Sequence, residues 1–135
     1  MKLLLDTRLL LWAAAEPSKV PKKFRSLILE NDNELFFSAV SIWEIAIKSQ
    51  LGRADFEIDP HVLRRGLIDH GYLELTISGE HALAVLALAP LHKDPFDRML
   101  VAQATVEGFV LLTSDEQVAA YPGPIRKARQ TKTAA

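Results

Sequence analysis

Short apolar runs alternate along this chain with longer stretches in which apolar positions recur every three or four residues, as strands alternating with helices do. Lys2-Leu3-Leu4-Leu5 is a continuous run closed by Asp6, the form that strands buried on both faces take. A short helix is expected over 7–15, broken at Glu16-Pro17, and a second over 18–30 with Val20, Phe24, Leu27 and Ile28 on one face. Asn31-Asp32-Asn33 is a turn, and 35–40 reads as the second strand. Ser41 to Leu51 follows as a helix with Ile42, Ile45, Ala46 and Leu51 inward and Gly52 as its stop.

Asp59-Pro60 opens a further helix that ends near His70-Gly71, and Leu73 to Ile77 is a short strand. Ser78 caps a helix that runs to Leu88, with Pro90 beyond it. Asp94-Pro95 begins the longest well-signalled helix, closed by Gly108. A strand over 109–114 and a short helix from Asp115 to about Tyr121 complete the pattern. Strands separated by helical segments require crossovers, so the sheet is mainly parallel, with helices on both faces and four to five strands. Residues 1–121 form one α/β domain in this reading. Residues 122–135 are a basic tail: Pro122-Gly123-Pro124 breaks the chain, Arg126, Lys127, Arg129 and Lys132 follow, and a strand near Ile125 is left open.

Composition narrows the chemistry. A chain of 135 residues is long enough to bury a core without staples, and its zero cysteine count removes disulfides, thiolate zinc sites and thiol nucleophiles. A net charge of −1 removes the class of basic nucleic-acid coat proteins and leaves any nucleic-acid contact to local patches. The leucines after Met1-Lys2 and the later Ala13-Ala14-Ala15 resemble an export signal, but Asp6 and Arg8 interrupt the apolar stretch. The run from Ala82 to Leu91 is too short to cross a bilayer, so a soluble cytoplasmic protein without a membrane partner is expected.

Four carboxylates then stand out, because each lies where a helix begins: Asp6 after the first strand, Glu44 one turn past the second, Asp97 in the turn after Asp94-Pro95, and Asp115 after the last apolar run. Each alone has a structural reading. Ser41-Ile42-Trp43-Glu44 has the form of a capping box, Asp97 complements a helix dipole, Asp115 is an N-cap and Asp6 a turn residue. Together they carry more. Ligand sites in α/β sheets form at the edge where strands hand over to helices, and acids gathered there repel unless a hard divalent cation neutralises them. Asp94 is an accessory acid or a cap. Thr7, Thr113 and Ser114 flank the acids and could orient water, and Arg8 and Arg98 are candidates for holding phosphate. His92 lacks a histidine partner at zinc spacing and reads as a solvated loop residue, while Trp12 and Trp43 read as core.

Four segments carry a resemblance: Leu3-Leu4-Leu5-Asp6-Thr7; Ser38-Ala39-Val40-Ser41-Ile42-Trp43-Glu44-Ile45-Ala46-Ile47-Lys48; Asp94-Pro95-Phe96-Asp97-Arg98-Met99-Leu100-Val101-Ala102-Gln103-Ala104; and Leu112-Thr113-Ser114-Asp115. They resemble PIN-domain ribonucleases, and most of all the VapC-type toxins of type II toxin–antitoxin modules, over roughly residues 2–121. The two longer segments are specific; the outer two are short. The resemblance implies an α/β/α sandwich with a five-stranded sheet and Mg²⁺ or Mn²⁺ in an acidic pocket. It further implies endonucleolytic cleavage of RNA, inhibition by a small antitoxin, and a homodimer. Carried over by position, Asp6, Glu44, Asp97 and Asp115 are the metal-binding quartet, and Asp94 and Arg98 belong to the motif without so clear a role. Two features depart from the pattern: Arg8 stands where relatives often have histidine, and Pro122-Gly123-Pro124 stands where many run into a last strand.

Two other classes fit an acid at a strand end. A phosphatase with Asp6 as covalent nucleophile wants an acid two residues on, where Arg8 stands. A non-enzymatic phospho-receiver pairs adjacent acids after its first strand, where only Asp6 is present. Both are weaker matches than a metal-dependent nuclease.

Overall fold

The computed structural model describes residues 1–54 and 57–127. Five strands, β1 (Lys2–Leu5), β2 (Glu34–Ser38), β3 (Leu73–Leu75), β4 (Val110–Thr113) and β5 (Ile125–Lys127), form one sheet in the order β3-β2-β1-β4-β5. All four pairings are parallel. The helices are α1 (Thr7–Ala15), α2 (Lys22–Leu29), α3 (Ala39–Gln50), α4 (Pro60–Asp69), α5 (Gly79–Ala84), α6 (Pro95–Glu107) and α7 (Glu116–Ala119).

The two-residue period of the strands divides the core. Leu3 and Leu5 of β1 face one side with Leu9, Phe24, Leu63 and Leu67, whereas Leu4 faces the other with Leu100, Val101, Ala104 and Val118. Neither face of the sheet is left to solvent, which makes the architecture a three-layer α/β/α sandwich. The strand left open by the sequence does form: Leu111, Leu112 and Thr113 of β4 lie opposite Ile125, Arg126 and Lys127. The rest of the expected basic tail, 128–135, lies outside the described residues. Among the described residues no helix is long and apolar enough to cross a membrane.

Several local expectations change. The helix over 18–30 divides into a 3₁₀ turn at Pro17–Lys19 and α2, because Pro21 has no N–H to continue the ladder. The helix over 78–88 becomes α5 followed by a 3₁₀ turn at Val85–Ala87. Ala39 and Val40, expected in a strand, are helical, since the Ser38 hydroxyl accepts from Val40 N at 3.0 Å and caps α3 two residues before the helix was expected to begin. Leu51, expected inward, is exposed just beyond that helix. Trp12 is buried, but Trp43 is 58% exposed and rests edge-on against Phe96 with ring centroids 5.4 Å apart, so it is not a core residue.

Candidate active site

Strand order builds the site. Chain connections run outward from β1 to β2 and β3 on one side, and β4 and β5 lie on the other, so the ends of β1 and β4 flank the point where the winding reverses. Crevices at such points are where parallel sheets bind ligands. Asp6 follows β1, and Ser114 and Asp115 follow β4. Helices α3 and α6 bring Glu44 and Asp97 over the same edge. The result is a cavity of about 170 Å³ lined by Asp6, Thr7, Arg8, Glu44, Lys48, His92, Asp94, Asp97, Ser114 and Asp115.

Each acid reaches the cavity by a different local device. Asp6 is the N-cap of α1, its Oδ1 accepting from Leu9 N at 2.9 Å, and its residue is buried. Asp115 caps α7 by accepting from Gln117 N at 2.7 Å and is exposed at the rim. Asp94 caps α6 by accepting from Phe96 N and Asp97 N, which leaves Asp97 in the first turn with its carboxylate uncommitted to the helix end. The capping role considered for Glu44 is excluded, because Ser38 caps α3 and Ser41 accepts instead from Thr7 Oγ1 at 2.9 Å. That bond ties α1 to α3 beneath the cavity. Glu44 is buried, with Oε2 paired to Lys48 one turn on.

Burial and crowding store electrostatic strain here. Burial pushes the Asp6 carboxyl up to about 6, with Asp115 adding to the rise and hydrogen bonds from Thr113 and Leu9 N opposing it. Asp97 rises to about 7, again chiefly through burial, with Asp94, Glu44 and Asp6 adding repulsion and the His92 hydrogen bond acting against them. The remaining oxygen of Glu44, Oε1, is buried without a hydrogen-bond partner. An anionic oxygen in that state costs the fold free energy unless a cation reaches it. Carboxylate oxygens are also the donors a hard divalent cation takes. The residues therefore fit such an ion.

The sequence-predicted residues do not all converge. Asp6, Glu44, Asp97, Asp115, Arg8, Asp94 and Ser114 line the cavity. Thr113 lies buried beneath it, its Oγ1 accepting from Asp115 N at 3.0 Å. Arg98 is absent from the lining; its guanidinium donates to Ala89 O at 3.1 Å, Val85 O at 3.3 Å and Tyr121 Oη at 3.0 Å. Two further residues join: Lys48, which sequence reasoning did not single out, and His92, which it set aside. Lys48 carried a signal, standing four residues after Glu44 on one helix. His92 is no solvated loop residue: it is partly buried and its Nε2 lies 2.8 Å from Asp97 Oδ2. Among the described residues, His92, Asp94 and Asp97 are the group of three whose ligand atoms all lie within 4.8 Å of one another. Zinc spacing was the wrong measure for this histidine, since its partners are carboxylates just ahead of it in the chain.

Comparison with known proteins agrees with this architecture. The PIN domain family model matches residues 3–124. Ribonuclease VapC22 of Mycobacterium tuberculosis is 27% identical over 121 residues, which cover 90% of this chain and 92% of that protein. The fold matches a chain of VapBC2 from Rickettsia felis bound to a DNA fragment from their promoter, with a TM-score of 0.70 and 13% identity over 94% of this chain and 98% of that one. A DNA-bound VapBC chain from Salmonella typhimurium matches over the same shares with a TM-score of 0.68 and 19% identity. With its switch-point acids and this match over nearly its whole described length, the chain belongs to the PIN domain family.

Proposed function

We propose that this protein is a divalent-cation-dependent endoribonuclease of the cytoplasm, acting as the toxin of a toxin–antitoxin pair. The observation that carries the reading is the buried, partnerless Oε1 of Glu44, a residue that lines a cavity shared with Asp6 and Asp97, both of which are driven toward their protonated forms. Similarity to a protein named as a ribonuclease supports the substrate class. Asp6, Glu44 and Asp97 are the residues that would hold Mg²⁺ or Mn²⁺, with Asp115 at the rim. When bound, the ion would polarise a phosphoryl oxygen and lower the pKa of its water toward roughly 7.

The chain's own groups do the rest. Carboxylate oxygens in the cavity orient the attacking water, and Ser114 and Thr7 shape its wall. Arg8, exposed at the mouth, can take a non-bridging phosphate oxygen. Water oxygen bonds to phosphorus as the bond to the ribose 3′-oxygen breaks, leaving 5′-phosphate and 3′-hydroxyl ends. An antitoxin segment that presents Arg or Lys to the acidic cavity would inhibit the enzyme, and a homodimer is the expected assembly. The structural neighbours from Rickettsia felis and Salmonella typhimurium are VapBC complexes, which supports the partner class.

One observation favours a second route. His92 gives the cavity a ring nitrogen that could act as base toward a 2′-hydroxyl, leaving a cyclic phosphate without any cation. Its Nε2 is already engaged with Asp97, which favours hydrolysis. Purified protein incubated with total RNA, with Mn²⁺, Mg²⁺ or EDTA, separates the two when the product ends are mapped. Asp6→Asn and Asp97→Asn run in parallel exclude contaminating nucleases. Cleavage that survives EDTA, or equal cleavage by both variants, would overturn the proposal.

A further inference from the structure

Arg98 and Tyr121 do something more specific than brace the fold. The Arg98 guanidinium spans the segment before α6, with Nη2 on Val85 O at 3.3 Å and Nη1 on Ala89 O at 3.1 Å and, at 3.5 Å, His92 O. Nη1 also donates to Tyr121 Oη at 3.0 Å. The same phenol accepts from His92 N at 3.0 Å and donates to His92 O at 3.3 Å. Both main-chain groups of His92 are thus held, and the hydrogen-bonding capacity of the phenol is used in full. Tyr121 is itself fixed, since it is almost completely buried in the second half of the core. The one part of His92 that reaches outward is its imidazole, which ends 2.8 Å from Asp97 Oδ2.

Asp97 needs such a restraint. Its backbone is set by the Asp94 cap, but its carboxylate meets Asp94, Glu44 and Asp6, and like charges favour its swinging away. A ring N–H donated to Oδ2 holds the carboxylate over the cavity and leaves Oδ1 for a cation. We propose that Arg98 and Tyr121 form a clamp that presents His92 to Asp97, so that all three are positioning residues for cation binding and Arg98 is not a phosphate ligand. This rests on the cation-dependent reading above. Its first readout, cation affinity, needs no RNA.

The test is Mn²⁺ titration of the full chain, followed by electron paramagnetic resonance or calorimetry, with unfolding in EDTA measured beside it. His92→Ala, Arg98→Lys and Tyr121→Phe are each expected to weaken Mn²⁺ binding by about tenfold or more, the size of effect seen when the support of a ligand is removed. His92→Gln keeps an N–H donor at the reach of Nε2 and should recover most of the affinity. Because the clamp works through His92, the double variant Arg98→Lys with His92→Ala should bind no more weakly than His92→Ala alone. If Arg98→Lys misfolds, Tyr121→Phe, which removes only a hydroxyl, decides.

Loss of stability with Mn²⁺ affinity unchanged within twofold would make the clamp merely structural and overturn the proposal. A raised KM for RNA in Arg98→Lys at unchanged Mn²⁺ affinity would return Arg98 to a phosphate role, with the same result. A wild-type protein that binds no Mn²⁺ would overturn the cation-dependent reading and this inference with it. Normal wild-type binding with unaffected variants would remove this inference alone.

Discussion

Lys48 reaches back one helical turn to Glu44 Oε2, while the other oxygen of the same carboxylate stays buried without a partner. The ammonium therefore neutralises half of what a cation would. It also lies 5.8 Å from the Phe96 ring centroid, which places it at the junction of α3 and α6. Lys48→Met should lower stability in EDTA at pH 7.5 by about 3 kcal/mol, since it leaves a buried charge uncompensated. The same change removes a competing positive charge, so Mn²⁺ should bind a few-fold more tightly. Chemical denaturation and Mn²⁺ titration check the two halves. Weaker Mn²⁺ binding would show that Lys48 arranges the ligands rather than competing with the ion.

The cation-free protein should lose stability as pH rises from 4 to 7. Asp6 and Asp97 hold their protons more tightly in the fold than their ordinary value of 3.8 allows. The stability this lends is complete below that value and is lost as pH passes about 6 for Asp6 and about 7 for Asp97. At about 1.4 kcal/mol per pKa unit, Asp6 alone accounts for a loss of about 3 kcal/mol. Urea unfolding in EDTA across this range measures it. Asp6→Asn should flatten the slope and leave the apo protein more stable than wild type at pH 8; an unchanged slope would remove Asp6 as its source.

A divalent cation should reverse that loss, and only at the alkaline end. At one hundred times its Kd a ligand specific to the folded state adds about 2.7 kcal/mol. Protons compete for the same carboxylates, so Mn²⁺ should raise Tm more at pH 8 than at pH 5. Thermal scans with Mn²⁺ and then excess EDTA test this, and equal shifts at both pH values would argue that the ion binds elsewhere.

Thr113 is the least visible member of the site. Its hydroxyl accepts from Asp115 N and holds the pKa of the neighbouring Asp6 carboxyl down, so one buried group serves both strand-end acids. Thr113→Val keeps the shape and removes the hydroxyl's interactions with both acids, at a cost of about 1–2 kcal/mol. It should also raise the Asp6 pKa further, because a bond to the ionised form is lost. Carbon-13 carboxyl titration reads that directly; an Asp6 value that falls or stays put would mean the hydroxyl does not serve the carboxylate.

What the amino-acid order determined by itself was most of what has a short range, the Ser38 cap and the break at Pro21 being the local exceptions. Leu3-Leu4-Leu5 and Phe109 to Ser114 announced buried strands, Asp94-Pro95 and Gly108 marked both ends of α6, and each acid was legible as standing at a strand-to-helix junction. Those features follow from side-chain period and capping chemistry, which involve neighbours a few residues apart. Placing β1 beside β4 was a different matter, as was the pairing of β4 with Ile125–Lys127 after a Pro-Gly-Pro break. The tertiary structure also turned Arg98 away from the cavity, brought His92 into it and left Trp43 outside the core. Even His92, whose ring meets Asp97 only 5 residues on, is held there by Tyr121, 29 residues away. These placements depend on contacts between distant segments, and a pattern that repeats every two or four residues carries no record of which distant surface a side chain will meet.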